Sequence, residues 1–376
     1  MTKVLYFVDR LLWGGIQSLL YNIATYIDRN KIQLEVLVLD DGKNYDLEQI
    51  LTNMGVKVHK LEGIWISNIR SIPPYMKALK KFFEIHHGEY NAIHMNSSPK
   101  NAFILYFAKK HQIPVRIAHS HCTSFQNESI LSKVSSRFLK MVLKKNATHF
   151  FACSEQAAVW MYGQQSYQKG LVTIIKNAIA TKSFLFNENT RKLLRNQLNM
   201  ENRVVYGFVG RFSHVKNHKF LIEVFSEIKK IQQNALLLLI GAGELENDIK
   251  SQVENLGLTQ DVVFLGFRED RNEWLSAMDC FIMTSIYEGA PVSLVESQAA
   301  SLISFAPRET VQDSSKISDY LYFISLQDSP AKWANKIVNT GFLERKDMLE
   351  EIRSAGYDAE EAVKQLEKVY SSNGQT

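Results

Sequence analysis

The chain has 376 residues, 45% hydrophobic and 22% charged, with Lys plus Arg at 44 and Asp plus Glu at 39 for a net charge of +5. That length and composition suit two globular domains with full cores and exclude disordered and fibrous classes. The mild basic excess fits anionic small molecules or anionic lipid and falls short of a dedicated nucleic-acid binder.

Short apolar runs alternate with amphipathic stretches, which is the α/β pattern. Strands are predicted at Val4–Val8, Leu34–Leu39, Val56–His59, Ala92–Met95, Val115–Ala118 and Thr148–Ala152. Most are continuous apolar runs, as expected of strands covered on both faces. Helices are predicted near 16–28, 74–86, 100–110, 131–145 and 154–162. Around 176–203 the pattern loosens, with Asn177, Asn187, Asn189 and Asn196 among charged residues, and the domain junction is placed near 178. A second series follows, with strands at Val204–Val209, Leu236–Ile240, Val262–Leu265, Cys280–Met283, Ser301–Phe305 and Tyr320–Ile324. Its helices are predicted near 217–231, 244–255, 291–300, 329–339 and 357–370. Tandem parallel α/β domains leave a cleft at their strands' carboxyl edges, where such sheets bind ligands.

Cys122, Cys153 and Cys280 are odd in number and far apart, so they read as reduced intracellular thiols rather than a disulfide or zinc framework. Asp9 and Arg10 break the first apolar run, so residues 1–15 are not expected to form a secretory signal. No run approaches the roughly 18 apolar residues of a spanning helix. The expected location is cytoplasmic.

Five segments carry candidate chemistry. Trp13-Gly14-Gly15-Ile16-Gln17 follows a strand and opens a helix, where Gly15 lets backbone N–H groups approach an anion. A tight strand-to-helix turn would read the same way. Gly210-Arg211 through Lys216-Asn217 puts two cations at a strand's carboxyl edge, suited to a diphosphate. Loop charges kept for solubility are the bland alternative. Gly241-Ala242-Gly243-Glu244 lacks the third glycine of a dinucleotide fingerprint, so a turn is favoured over a nicotinamide site. Ser285 to Glu296 is the richest stretch. Gly289 permits close approach, Pro291 fits a helix start, and the N–H groups of Val292 and Ser293 would face an anion. Glu296 would clamp two ribose hydroxyls, and Glu288 would face neutral sugar hydroxyls or a positive centre, since it repels a diphosphate. Acidic residues favoured by the helix dipole are the alternative. Finally, His119 and His121 end a strand with i, i+2 spacing and would point the same way. No Asp-x-Asp occurs, and no histidine–carboxylate cluster has metal-ligand spacing, so no metal and no bound cofactor are expected.

At these residues the chain resembles a glycosyltransferase of family 4 with the GT-B fold. Glu288 to Glu296 resembles the family's E-x7-E motif, and Gly210-Arg211 with Lys216-Asn217 its G-R…K-N loop. Gly241 to Glu244, Phe264-Leu265-Gly266-Phe267-Arg268 and Ala277-Met278-Asp279 fall between them in the expected order, and Gly14-Gly15 resembles the amino-terminal glycine loop. Ala118 to His121 resembles a branch making bacterial capsular and exopolysaccharides. The resemblance covers about residues 3–340. It implies two Rossmann-like domains facing across a cleft: an acceptor-side domain over 1–178, a nucleotide-sugar domain over 179–355, and a carboxyl-terminal helix over 356–376 packing back on the first. It implies retaining, metal-independent transfer of a hexose from a UDP-sugar to a glycan acceptor, commonly lipid-linked. Arg211 and Lys216, with the helix start at Val292 and Ser293, would neutralise the leaving diphosphate. Gly15, Gly243 and Gly289 would lie against the donor, and Phe267 and Arg268 would meet the base. Glu296 would hold the ribose, Glu288 the transferred sugar, and His119 or His121 the donor sugar or acceptor. Departures stand at Gln17, Ala290, Ser297 and Ser301-Leu302-Ile303. A nucleotide-sugar epimerase of the same architecture and an inactive assembly partner are the rival expectations.

One stretch raises a membrane contact. Lys133, Arg137, Lys140 and Lys144 recur at helical spacing beside Val134, Phe138, Met141 and Val142, the pattern of a basic amphipathic helix on an anionic surface. A helix that simply covers the sheet is the competing expectation.

Overall fold

The computed structural model describes residues 1–66, 71–96, 98–121, 130–288 and 290–372, with 130–134 described by backbone alone. The chain divides into two compact units, Met1–Ala178 with Asp358–Thr376, and Ile179–Tyr357. Both are parallel α/β sheets.

In the first unit, seven strands are β1 (Thr2–Val8), β2 (Ile32–Leu39), β3 (Lys57–Leu61), β4 (Ala92–Asn96), β5 (Val115–Ser120), β6 (His149–Ala152) and β7 (Val172–Ile174). Their order is β3-β2-β1-β4-β5-β6-β7, all parallel. The crossovers are α1 (Gly15–Tyr26), α2 (Asp46–Asn53), α3 (Ile72–Ile85), α4 (Ala102–Lys110), α5 (Ile130–Asn146) and α6 (Glu155–Tyr162), the last followed by α7 (Gln164–Gln168). β1 shows why the run is continuously apolar. Leu5 and Phe7 enter the core on one face, while Val4, Tyr6 and Val8 enter the core on the other.

The second unit has six parallel strands: β8 (Val204–Val209), β9 (Ala235–Ile240), β10 (Val262–Gly266), β11 (Cys280–Ile282), β12 (Ile303–Pro307) and β13 (Leu321–Ile324). Their order is β10-β9-β8-β11-β12-β13. Its helices are α8 (Thr181–Phe184), α9 (Glu188–Gln197), α10 (His218–Ile231), α11 (Glu246–Asn255), α12 (Arg271–Ala277), α13 (Val292–Ala299), α14 (Pro330–Thr340) and α15 (Leu349–Ser354). All six β9 side chains are buried.

A final helix, α16 (Ala359–Tyr370), belongs to the first unit. Asp358 caps it, accepting from the Glu361 N–H at 3.1 Å. Val363, Leu366 and Tyr370, at helical spacing, complete the core that Val4 and Tyr6 enter. Glu35 locks the strands together. Burial works to raise its carboxyl, but bonds from His59, Lys3 and Tyr90 outweigh this and hold it at about 2.

In each sheet the order reverses at one place, between β1 and β4 and between β8 and β11. Open α/β sheets bind ligands at the carboxyl edge of such a switch point. The sequence misses β7, α2, α7, α8, α9, α12 and α15, and it starts β12 two residues early. Ser301 is instead a left-handed residue at φ 53°, held where glycine is favoured by a bond from the Lys346 N–H to its Oγ at 3.0 Å. Among the described residues, no helix is long and apolar enough to cross a membrane.

Candidate functional site

The second sheet's switch point is built by the loops after β8, β9, β10 and β11. Backbone bonds stitch them together. Gly210 N–H reaches the Ile240 carbonyl at 2.9 Å, Phe212 N–H reaches Ala242 at 3.0 Å, and Gly241 N–H reaches Gly266 at 2.8 Å. Ile286 N–H reaches Val215 at 2.9 Å, and the Thr284 hydroxyl spans the carbonyls of Lys216 and Asn217. Glycine is required at two points. A Cβ on Gly241, at φ 143°, would lie 2.0 Å from the Gly210 oxygen, and one on Gly243 would lie 2.3 Å from the Phe212 oxygen. Gly243 therefore serves the close approach of two loops.

The charged residues of these loops meet. Lys216 Nζ donates to Glu288 at 2.7 Å, with the carboxylate side chain only 7% exposed. Arg211, well exposed, pairs with the exposed Glu244 at 3.0 Å, a contact worth little in water. Arg268 is forked onto Asp270 at 2.7 and 2.5 Å, and Phe267 beside it is exposed. Glu296, buried on α13, is held by Arg271 at 2.8 Å. Glu296, expected at the ribose, therefore has a cation against its carboxylate, which a ligand hydroxyl must share or displace. The helix start is corrected as well. Pro291 precedes the helix rather than opening it, and the Val292 N–H is already bonded to the Ala290 carbonyl at 2.9 Å. Ser293 follows as the second helical residue. Gly289 lies outside the described residues. Below the loops, His218 sits edge-on between Phe208 and Phe212, with neither ring nitrogen hydrogen-bonded among the described residues, and burial pushes its imidazole down to about 4.

The first sheet's switch point gathers Gly15, Asn96, His119, His121 and Asn177. Gln17 donates to the Arg10 carbonyl at 2.7 Å and closes the β1–α1 loop. Gly15 leaves room for Asn177, whose amide would lie 3.0 Å from a Cβ there. His119 and His121 do point the same way, with ring centroids 4.1 Å apart. Of the pair carried for substrate contact, His119 is fully buried. Its Nδ1 lies 3.0 Å from His94 Nε2, and His94 Nδ1 lies 2.6 Å from the Tyr370 hydroxyl on α16. Burial drives His94 and His119 well below the ordinary histidine value. His121 retains some exposure, its Nε2 lies 2.9 Å from Asn96 Oδ1, and burial pushes its imidazole down to about 4.

The basic stripe on α5 is only partly free. Lys140 donates to the Trp160 carbonyl at 2.6 Å and lies 3.8 Å over that indole, and Lys144 donates to the Tyr162 carbonyl at 2.6 Å. Val142 packs on the core, while Phe138 and Met141 are exposed and Arg137 faces solvent. The side chains of Lys133 and Val134 lie outside the described residues.

Asn96, Asn177, His94, Arg271 and Tyr370 went unrecognised as site residues in the sequence. Asn177 stood in view as one of the junction asparagines. The others carry no motif and become visible only through their partners.

Two family models match the chain: "Glycosyltransferase Family 4" over residues 13–183 and "Glycosyl transferases group 1" over residues 190–311. A Bacillus subtilis protein named as glycosyltransferase EpsF is 29% identical over 98% of this chain and 96% of its own length. The Staphylococcus aureus capsular polysaccharide biosynthesis glycosyltransferase CapH is 22% identical over 99% of both chains. An Escherichia coli UDP-Gal:alpha-D-GlcNAc-diphosphoundecaprenol alpha-1,3-galactosyltransferase is 24% identical over 63% of this chain and 61% of its own. Among solved structures, Anabaena Alr3699/HepE in complex with UDP-glucose superposes with a TM-score of 0.69 at 20% identity, covering 98% of this chain and 96% of that one.

Proposed function

The chain belongs to the bacterial GT-B glycosyltransferases of the capsular and exopolysaccharide type, and on that premise we propose that it transfers a hexose from a UDP-sugar to a lipid-linked glycan, with retention and without a metal. The observation that carries this reading is the pairing of Lys216 with Glu288 at 2.7 Å in the carboxyl-edge loops, with Arg211 exposed on the loop after β8. Lys216 and Arg211 supply the positive charge that a departing diphosphate needs, and such charge acts where negative charge develops. Glu288 sits beside Lys216, so an incoming phosphate exchanges places with it and leaves the carboxylate to the sugar. Glu296 on α13 takes the ribose by sharing Arg271, and the loop at Phe267 and Arg268 lies under the base. His121, partly exposed at the first sheet's switch point, is the member of the histidine pair that stands nearer to a substrate.

Support for the donor comes from the Anabaena relative bound to UDP-glucose, and support for the acceptor from the Escherichia coli enzyme whose acceptor carries a diphosphoundecaprenol. A lipid-linked acceptor places the protein at a membrane surface, where exposed Phe138 and Met141 with Arg137 on α5 would face the headgroups. The test is incubation with a panel of UDP-sugars and a polyprenyl-diphosphate-linked sugar. Release of UDP with an α-linked product confirms the reading. Isomerised free UDP-sugar would point to an epimerase, and failure to bind UDP would point to a non-catalytic partner.

A further inference from the structure

At the amino edge of the first sheet, opposite its switch point, α3 and α4 end side by side as their chains turn into the paired strands β4 and β5. The two helices pack through Phe83 and Phe107, whose rings stack with centroids 6.2 Å apart. His87 stands just past the end of α3. His111 caps the end of α4, with its backbone N–H on the Phe107 carbonyl at 2.9 Å. The His111 ring stacks on the buried Phe83 at 5.9 Å, which holds its orientation, while His87 is exposed. The Nδ1 atoms of the two histidines lie 3.3 Å apart. That is long for a hydrogen bond. It is the separation of two nitrogens on one tetrahedral zinc, where bonds of about 2.0–2.1 Å place them about 3.3 Å apart.

We propose that His87 and His111 chelate a divalent transition-metal ion of the zinc type through their Nδ1 atoms, with water completing the tetrahedron. Imidazole suits such ions. Among the described residues no group of three or more His, Cys, Asp or Glu side chains could hold a metal, so the protein supplies these two ligands alone. The surroundings favour a cation. Both histidines lie at helix carboxyl ends, where the dipoles place partial negative charge. Glu84, one turn before His87, acts on His111 in the same sense. Lys110 opposes it, and Lys80 takes up part of the Glu84 charge at 3.7 Å. Lys109 is turned away, its Nζ donating to the Lys145 carbonyl at 3.2 Å. Burial, with His87 and Lys110, lowers the His111 pKa, so that ring offers a lone pair at neutral pH. His86 is not a ligand, since its Nδ1 already lies 3.1 Å from the Glu89 carboxylate. The ion braces α3 to α4 at the edge away from the switch point, so sugar transfer does not use it. The ligands are 24 residues apart in the chain, so no motif announces them.

The test uses the full-length chain without an affinity tag, stripped with a chelator and titrated with zinc chloride by calorimetry at neutral pH. Zinc is expected to bind at a single site. Loss of an outer-shell partner alone costs about 10–100-fold in metal affinity, so His87→Gln, which removes a ligand, should weaken zinc by at least about tenfold. His87 is exposed, so this variant keeps the fold, and its metal-free melting temperature should match wild type. Zinc should raise the melting temperature of wild type and leave that of His87→Gln unmoved, because only a folded site binds the ion. 15N NMR of the histidine-labelled protein locates the site. Zinc should shift the Nδ1 signals of His87 and His111, each assigned by its loss in His87→Gln or His111→Gln, and leave both rings in the Nε2–H form. Absence of zinc binding, undiminished binding by His87→Gln, or Nδ1 signals that zinc does not move would each overturn the proposal and leave the pair as a plain contact between two imidazoles. None of these readouts involves a sugar nucleotide, so they stand or fall apart from the transferase reading.

Discussion

Lys216 and Glu288 lie 2.7 Å apart across the loops that follow β8 and β11, and each is more buried than exposed. A carboxylate so placed competes with any phosphate for the same ammonium. Removing the carboxylate therefore frees the lysine and lifts a repulsion. Glu288→Gln should bind UDP several-fold more tightly, by about 1 kcal/mol, while sugar transfer falls by orders of magnitude. Lys216→Ala should do the opposite, weakening UDP by about tenfold or more. Calorimetric titration of UDP into both variants checks the pair. Weaker UDP binding by the glutamine variant would mean that Glu288 supports the nucleotide.

Arg271 and Glu296 form the other pair, with a carboxylate side chain 3% exposed and a guanidinium side chain 36% exposed. Arg271→Ala leaves a buried carboxylate without its cation. Breaking a fully buried pair costs about 3–5 kcal/mol, and the partial exposure of Arg271 brings this to about 2 kcal/mol. Arg271→Ala with Glu296→Gln should recover most of that stability, because no unpaired charge remains, yet should still fail to use the donor. Denaturant unfolding of the single and double variants reads the first effect and UDP-sugar turnover the second. An unstable double variant would show that the pair acts through packing rather than charge.

The contrast between these two pairs shows what a sequence carries. Arg211, Lys216, Glu288 and Glu296 stand out because charge at the end of an apolar run, or at fixed helical spacing, is a one-dimensional signal. The parallel sheets are equally legible, since Leu236 to Ile240 and Val4 to Val8 have no solvent-facing alternative. Arg271 gives no such signal. It sits on a seven-residue helix, and its importance exists only because α12 brings it against α13. Missed β7 has three residues, and α9 is strongly polar, so neither offers a pattern longer than the noise. Gln17, Ser297 and Ser301 looked like departures, but each has a local partner. Gln17 bonds to Arg10, Ser297 bonds to Ser304 Oγ at 2.7 Å, and Ser301 bonds to Lys346.

Four histidines give the fold a predictable acid limit. His94, His119, His121 and His218 all have their pKa values lowered, chiefly by burial. The unfolded chain binds these protons near 6.5 and the folded chain only well below, so stability rises with pH through that window and is lost as pH falls. For His121, with a folded value of about 4 against 6.5, the loss approaches about 3 kcal/mol once pH is below both values. Glu35 adds a second loss below 4.5, where its lowered carboxyl must protonate on unfolding. Urea unfolding from pH 7.5 to 4 should show a steadily falling free energy. His218→Phe, placed between Phe208 and Phe212, should flatten part of that slope. A flat profile between pH 6.5 and 5 would mean that the buried imidazoles carry no such penalty.

Tyr370 ties α16 to the first sheet through its hydroxyl, 2.6 Å from His94 Nδ1. Tyr370→Phe keeps the packing and leaves one buried ring nitrogen without its partner, at a cost of about 1–2 kcal/mol. Ending the chain at residue 357 removes Val363, Leu366 and Tyr370 from the core together. Losing several buried side chains at about 2–4 kcal/mol each exceeds the margin of an ordinary domain, so the truncated protein should be insoluble or unfolded. Circular dichroism melts of the two variants separate the effects, and a truncated chain that melts like wild type would show that α16 is dispensable to the fold.

The exposed face of α5 yields the last expectation. Lys140 and Lys144 have turned their ammonium groups onto the Trp160 and Tyr162 carbonyls, so their charge is partly committed to holding α6. Phe138 and Met141 have no such duty and stand in solvent beside Arg137. If the acceptor is lipid-linked, these apolar side chains insert at the headgroup boundary, each worth up to about 1–2 kcal/mol, with Arg137 adding about 1 kcal/mol against anionic lipid. Phe138→Glu with Met141→Glu should then reduce binding to phosphatidylglycerol vesicles by tenfold or more without lowering the melting temperature. Lys140→Ala should do the reverse, lowering stability through its lost carbonyl bond and indole contact while changing vesicle binding little. Sedimentation with vesicles of zero and 40% anionic lipid (a fraction on the order of that in anionic membranes) reads both, since the surface attraction must vanish with the charge. Equal binding of the wild-type and doubly charged proteins would remove α5 as the membrane face.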